Sequence, residues 1–193
     1  MRDLTIPDMC HDYDITILSS INQNRIVALD ELFIGITDTV SYINISILLF
    51  LFIRSYLTKD KMMYTKGLIV LLSYSSAALI STLIKHILSR QRPFITHPFI
   101  EKLSTGGSPS FPSGHTTEVF AMATVISLCY PRWYIIVPLY TWAFAVGYSR
   151  LCLGVHYPSD VAAGIVVGIT TSVTCYFLFK RFILNRKHAG ISK

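Results

Sequence analysis

The stretch GVHYPSDVAAGIVVGITT, residues 154–171, decides how this chain is read. It places a histidine, a proline and an aspartate at the mouth of a long apolar run. The run continues to about residue 179, long enough for a bilayer-crossing helix, which takes about 20 residues. Pro158 suits the first turn of such a helix, where its missing N–H is no loss. Asp160 then stands near the positive end of the helix. Ionisable residues at the edge of a spanning helix are either interfacial anchors or chemistry, and the rest of the chain decides between them.

The 193 residues are 52% hydrophobic and only 15% charged, and mean hydropathy is +0.50. Soluble domains carry about a quarter charged residues, so the composition favours an integral membrane protein. Working outward from 161–179, four more apolar segments stand at about 33–53, 67–84, 117–130 and 133–148. The third and fourth reach spanning length if extended back to Gly114 and on to Leu153. Their apolar residues run all round the helix, unlike the single stripe of a soluble helix. Residues 11–31 place Ile15, Leu18, Ile21 and Ile26 near one helical face, with Asp14, Asn22, Asn24 and Arg25 elsewhere. That pattern suggests an amphipathic helix lying at the interface. The expected fold is an all-α membrane bundle, a single domain over 1–193, with about five transmembrane helices plus the interfacial helix. Cys10, Cys129, Cys152 and Cys175 are scattered without a C-x-x-C spacing and read as small hydrophobes, not as a disulfide framework or a metal site. The first thirty residues carry Asp3, Asp8, Asp12 and Asp14 and do not resemble a cleavable signal peptide.

Net charge is +6, and its distribution matters more than its size. Five spans put the 54–66 loop, the YPRW turn and the C-terminal tail on one side. That side holds Arg54, Lys59, Lys61, Lys66, Arg132, Lys180, Arg181, Arg186, Lys187 and Lys193. The other side holds Arg2, Arg25, Lys85, Arg90, Arg92, Lys102 and Arg150, together with most of the acids. The positive-inside rule makes the first side, including the C-terminus, cytoplasmic.

Three clusters share the outer side. In KHILSRQRP, Lys85 and Arg92 lie seven residues apart, about two helical turns, and share a face if the helix persists to Pro93. Read alone, they are snorkelling anchors or an anion site. In FPSGHTTEV, Ser113 can cap a helix, Gly114 lets a ligand approach the backbone, and the helix start is an anion site beside His115. A capped helix with an incidental histidine is the plainer alternative. In YSRLCLGVHYPSD, Ser149 and Arg150 precede His156 and Asp160. A carboxylate beside His156 can fix one tautomer and free the other ring nitrogen for attack. Three cations, two histidines, one carboxylate and a Gly-containing helix start suit phosphoryl transfer, in which cations neutralise the equatorial oxygens.

The order K-x6-R-P, P-S-G-H, S-R-x5-H-x3-D resembles the type 2 phosphatidic acid phosphatase superfamily. The matching residues are Lys85, Arg92, Pro93, Pro112, Ser113, Gly114, His115, Ser149, Arg150, His156 and Asp160. The resemblance implies that His156 forms a phosphohistidine, that Asp160 orients it and that His115 is the general acid. It implies that Lys85, Arg92, Ser113, Gly114 and Arg150 bind the phosphoryl oxygens. No metal or other cofactor is implied. The implied partners are a membrane lipid phosphate and the bilayer, with no nucleic acid. The expectation is a lipid phosphatase of the cell membrane whose site faces the periplasm or exterior, acting on undecaprenyl diphosphate, phosphatidylglycerophosphate or a lipid A phosphate. Lipid phosphotransfer, a metal-dependent hydrolase using His115, His156 and Asp160, and a non-enzymatic membrane binder or transporter are the rival readings.

Overall fold

A computed structural model describes residues 8–191, with side chains described for 12–182. The fold is an all-α bundle. Its elements are α1 (Asp8–Gln23), a 3-10 turn at Val27–Leu29, α2 (Asp30–Thr58), α3 (Lys61–Leu88), the short α4 (Pro93–Thr96), α5 (Gly114–Cys129), α6 (Trp133–Cys152) and α7 (Pro158–Ile191). The expected extensions of the third and fourth segments coincide with α5 and α6. Cys10 and the tail residues Arg186, Lys187 and Lys193 lie outside the described side chains.

Local chemistry sets the turns. Lys59 takes a left-handed φ of 54° to close α2. Asp60 then caps α3, accepting from the N–H groups of Met62 at 2.8 Å and Met63 at 3.1 Å. At the far end of α3, Ser89 is left-handed as well, with φ 43°.

Four helices are long and apolar enough to cross a membrane: Val27–Thr58, Lys61–Thr96, Trp133–Cys152 and Pro158–Phe182. The expected fifth, α5, has 16 residues and is about 24 Å long at 1.5 Å per residue, short of a bilayer core of about 30 Å. It is the central helix, and its Val119–Ile126 stretch is almost wholly buried against α2, α3, α6 and α7. Large apolar side chains instead face outward from the surrounding helices: Phe50 on α2, Leu79 on α3, Trp133 on α6 and Leu178 on α7. This inversion of the soluble pattern suits a lipid surround.

The contact between α5 and α7 is close because glycines line it. A Cβ on Gly164 would lie 2.8 Å from the Ser113 carbonyl oxygen, and one on Gly168 would lie 2.5 Å from that of Thr117. This is a small-xxx-small seam. One turn further on, Ser172 Oγ donates to the Ala121 carbonyl at 2.9 Å. The register runs parallel, so α5 and α7 both begin at the same end of the bundle. The C-terminal ends of α3 and α6 meet them there.

The N-terminal region departs from expectation. One continuous helix over 11–31 does not form: α1 ends at Gln23, and residues 24–26 break the path before the 3-10 turn. Leu18 is fully buried, but Ile26 is 65% exposed. The inward stripe is Asp14–Leu18–Asn22, spaced four apart, so two polar residues face the protein. Asn22 binds backbone across the chain: its Nδ2 donates to the carbonyls of Cys152 at 2.8 Å and Glu101 at 3.1 Å, and its Oδ1 accepts from Glu101 N at 2.9 Å. An apolar-face argument cannot find such a stripe, because its partners lie 79 and 130 residues away.

Candidate active site

The ends of α3, α5 and α6, the 105–109 loop and His156, just ahead of α7, enclose a cavity of about 390 Å³. Lys85, Arg92, Gly114, His115, Arg150 and His156 line it. The two histidines therefore share one chamber. Ser113 and Asp160 stand one layer behind the wall.

Lys85 and Arg92 arrive by a different route from the one the sequence suggested. They do not share a helical face, because α3 stops at Leu88. Arg92 is the N-cap of α4, with Pro93 at its first position. The turn at Ser89 folds Arg92 back toward Lys85. Both cations are then gripped by the Gly/Ser/Pro loop. Lys85 Nζ donates to the Pro109 carbonyl at 2.7 Å, and Arg92 Nε donates to that of Ser108 at 2.8 Å. Arg92 Nη1 donates to the Val155 carbonyl at 2.9 Å. Gly106 allows this approach: a Cβ there would lie 2.7 Å from Arg92 Nη1. Arg150 is 2% exposed and donates from Nη1 to Thr37 Oγ1 at 2.6 Å. Its Nε is buried and has no hydrogen-bond partner among the described residues.

None of these three cations has a carboxylate within ion-pair distance among the described residues. Burying an unpaired cation is costly, and placing three around one chamber compounds the cost. Carbonyl dipoles offset part of it and leave the cluster suited to an anion. The N-termini of α5 and α7 add two positive dipole ends at the same place.

Ser113 holds the N-cap position of α5 without capping it through its side chain, contrary to expectation. Its Oγ instead accepts from Thr116 Oγ1 at 2.9 Å. Its backbone N–H donates to the Asp160 carbonyl at 3.0 Å, tying the starts of α5 and α7 together.

His156 is 1% exposed. Its Nδ1 faces Asp160 Oδ2 at 3.4 Å and Ser110 Oγ at 3.4 Å. Its Nε2 lies 3.5 Å from Arg92 Nη1 on the cavity side. Burial holds the imidazole well below its ordinary pKa; Arg150 and Arg92 push the same way, and the Asp160 hydrogen bond opposes them. The ring is therefore neutral, with Asp160 placed to accept a hydrogen bond from Nδ1–H and leave Nε2 its lone pair. Asp160 is saturated. Its Oδ2 also accepts from Ser110 Oγ and, at 2.9 Å, from Tyr157 N. Its Oδ1 accepts from Arg90 Nη1 at 2.6 Å.

Sequence reasoning missed Ser108, Pro109, Ser110, Arg90 and Asp14. Ser108, Pro109 and Ser110 lie in a loop that has no regular structure, and the first two act through carbonyl oxygens that no residue type advertises. Arg90 left one signal, its position two residues before Arg92, but nothing in the sequence tied it to Asp160. Among the described residues, no group of three His, Cys, Asp or Glu is placed as a metal-ligand set.

The cavity can thus hold a tetrahedral anion between buried cations, with a neutral imidazole nitrogen on one side and a second imidazole on its wall. Known proteins agree with that chemistry. Residues 66–183 match the model of the PAP2 superfamily. The chain is 30% identical to the lipid A 1-phosphatase of Rhizobium etli, over 87% of this chain and 81% of that one. It is 28% identical to the undecaprenyl-diphosphatase of Sulfolobus acidocaldarius, over 81% and 73%. The crystal structure of Aquifex aeolicus LpxE matches with a TM-score of 0.73 and 26% identity, over 91% of this chain and 98% of that one. A family match covering more than half the chain, added to four helices long and apolar enough to cross a membrane, places this multi-pass membrane protein in the PAP2 superfamily of lipid phosphatases.

Proposed function

We propose that the protein hydrolyses an isoprenoid lipid diphosphate or a closely related lipid phosphate at the outer face of the cell membrane, through a phosphohistidine on His156. The observation that carries this reading is the trio of buried cations without carboxylate partners around the two histidines.

In the first step the Nε2 lone pair of His156 attacks phosphorus as the bond to the leaving oxygen breaks. His115, which becomes protonated as the bound phosphate's negative charge offsets the neighbouring cations, donates that proton to the leaving oxygen. Lys85, Arg92 and Arg150 neutralise the equatorial oxygens, and Gly114 N–H, at the start of α5, adds a donor. Ser113 holds that helix start in place. In the second step water attacks phosphorus, His115 takes its proton, and the P–N bond breaks. Inorganic phosphate leaves, and both histidines return to their starting states. Asp160 accepts a hydrogen bond from Nδ1–H throughout and stabilises the positive charge on the phosphorylated ring.

The orientation rests on the basic residues of the 54–66 loop and the YPRW turn, which gather at the end of the bundle opposite the chamber. A membrane-impermeant amine reagent applied to intact cells should label Lys102, near the chamber, and spare Lys61. The opposite pattern reverses the assignment. The substrate class is supported by relatives whose names include lipid A 1-phosphatase, undecaprenyl-diphosphatase and decaprenylphosphoryl-5-phosphoribose phosphatase.

The test is phosphate release in detergent from undecaprenyl diphosphate, phosphatidylglycerophosphate, phosphatidic acid and lipid A, with no acceptor lipid and with excess chelator. Release under those conditions is expected. Dependence on an acceptor would make the protein a phosphotransferase, and loss in chelator would make it a metal enzyme. His156→Ala should insert and fold but release no phosphate. Substantial residual release would remove His156 as the nucleophile.

A further inference from the structure

Behind the chamber, Arg90 bridges two carboxylates from opposite ends of the chain. Its Nη1 donates to Asp160 Oδ1 at 2.6 Å and to Ser159 Oγ at 2.7 Å. Its Nη2 donates to Asp14 Oδ2 at 2.8 Å. Asp14 also reaches the start of α7: its Oδ1 accepts from Ser159 N at 2.9 Å, and its Oδ2 accepts from Ser159 Oγ. The Arg90 guanidinium lies 3.9 Å from the centroid of the Tyr157 ring. All three charged side chains are nearly buried, at 11%, 7% and 0% exposed for Arg90, Asp14 and Asp160. Arg90 is not among the residues lining the cavity, so it does not touch a bound phosphate. Asp14 lies outside the 66–183 region that matches the family model.

We propose that Arg90 and Asp14 are positioning residues, through which α1 clamps Asp160 and so fixes the His156 imidazole for attack. The inference rests on the reading of His156 as nucleophile. The physical reason is division of labour on one carboxylate. Arg90 occupies Oδ1, which turns the carboxylate plane and presents Oδ2 to His156 Nδ1. Arg90 in turn is a flexible side chain with two terminal nitrogens. Asp14 holds one and Tyr157 covers the face, so the other cannot leave Asp160. Without the clamp, Asp160 can rotate, and the ring loses the partner that sets its tautomer and direction. A displacement of about 1 Å at a reacting group costs on the order of 100-fold in rate.

The experiment measures kcat and KM for phosphate release by Arg90→Gln, Arg90→Lys, Asp14→Asn, Ser159→Ala and the Asp14→Asn/Arg90→Gln pair, together with the rate of phosphohistidine formation after rapid mixing. Rates are expressed per folded enzyme. Arg90→Gln should lower kcat and the phosphorylation rate 10- to 100-fold with KM within twofold, and Arg90→Lys should fall between it and wild type. Asp14→Asn should lower kcat several-fold, yet add less than twofold to Arg90→Gln, because both act through the same bridge. A purely structural role would change yield or thermal stability and leave kcat per folded molecule alone. If Arg90→Gln does not fold, Asp14→Asn and Ser159→Ala test the clamp with the Arg90–Asp160 pair intact. The proposal is overturned if the variants that fold keep kcat within twofold, if KM rises in place of a fall in kcat, or if the two losses multiply. His156→Ala is run alongside. Turnover by that variant would defeat the nucleophile assignment itself, a result separate from any seen at Arg90.

Discussion

Gly154 offers a sharp test of how the backbone sets the chemistry. It has φ +68°, a conformation that L side chains rarely adopt, and a Cβ there would lie 2.2 Å from the Glu101 carbonyl oxygen and 3.0 Å from both Asn22 Nδ2 and Ile100 Cγ2. Gly154→Ala therefore carries two penalties. The left-handed backbone costs about 1–2 kcal/mol for a residue with a Cβ. The overlap requires the loop to retreat: moving from 2.2 Å to even a tight 3.0 Å is a shift of 0.8 Å. Such repacking costs about 1–3 kcal/mol more. The expected loss of stability is about 2–5 kcal/mol from the two together. His156 lies two residues further on, so the same retreat moves the nitrogen proposed to attack, and kcat should fall on the order of 100-fold. The assay pairs thermal unfolding in detergent with phosphate-release kinetics. Gly35→Ala serves as the control, since nothing lies within 4 Å of its Cβ. A Gly154→Ala enzyme with kcat within threefold of wild type and an unchanged unfolding midpoint would refute the claim that this turn sets the histidine.

Three further outcomes are expected. His115→Ala should lose about 10²–10⁴ in kcat on lipids with poor leaving groups and much less on an activated aryl phosphate; equal losses on both would remove the acid role. Gly168→Ala should destabilise the fold by about 1–3 kcal/mol, because α5 and α7 must separate where a Cβ would lie 2.5 Å from the Thr117 carbonyl, and an unchanged unfolding midpoint would contradict that contact. His156 is held neutral by burial, so below the ordinary histidine pKa of about 6.5 the unfolded chain takes up a proton that the folded chain refuses. Stability is therefore lost as pH falls from about 6.5 toward the folded group's value of about 3, and His156→Gln should lose less over that window; an equal loss would show that His156 is not the group responsible.

The sequence by itself determined the membrane class, the helical segments and the identity of most chamber residues. Hydrophobicity along a chain is a local quantity, and a bilayer reads it locally, so α2, α3, α6 and α7 were legible as apolar runs. Motif spacing likewise singled out Lys85, Arg92, His115, Arg150, His156 and Asp160. Only tertiary structure decided how they meet. The turn at Ser89, and not a shared helical face, brings Arg92 beside Lys85. Carbonyls of Ser108, Pro109 and Val155 hold the two cations, and a backbone oxygen looks the same in every residue. The short α5 takes the centre because α7 presents glycines to it. Asp14 and Asn22 point inward on a helix whose apolar pattern pointed elsewhere. Their partners, Ser159, Arg90, Glu101 and Cys152, lie far along the chain. A buried polar contact is favourable only between two specific groups in one geometry, and no periodicity in a single segment encodes its distant half.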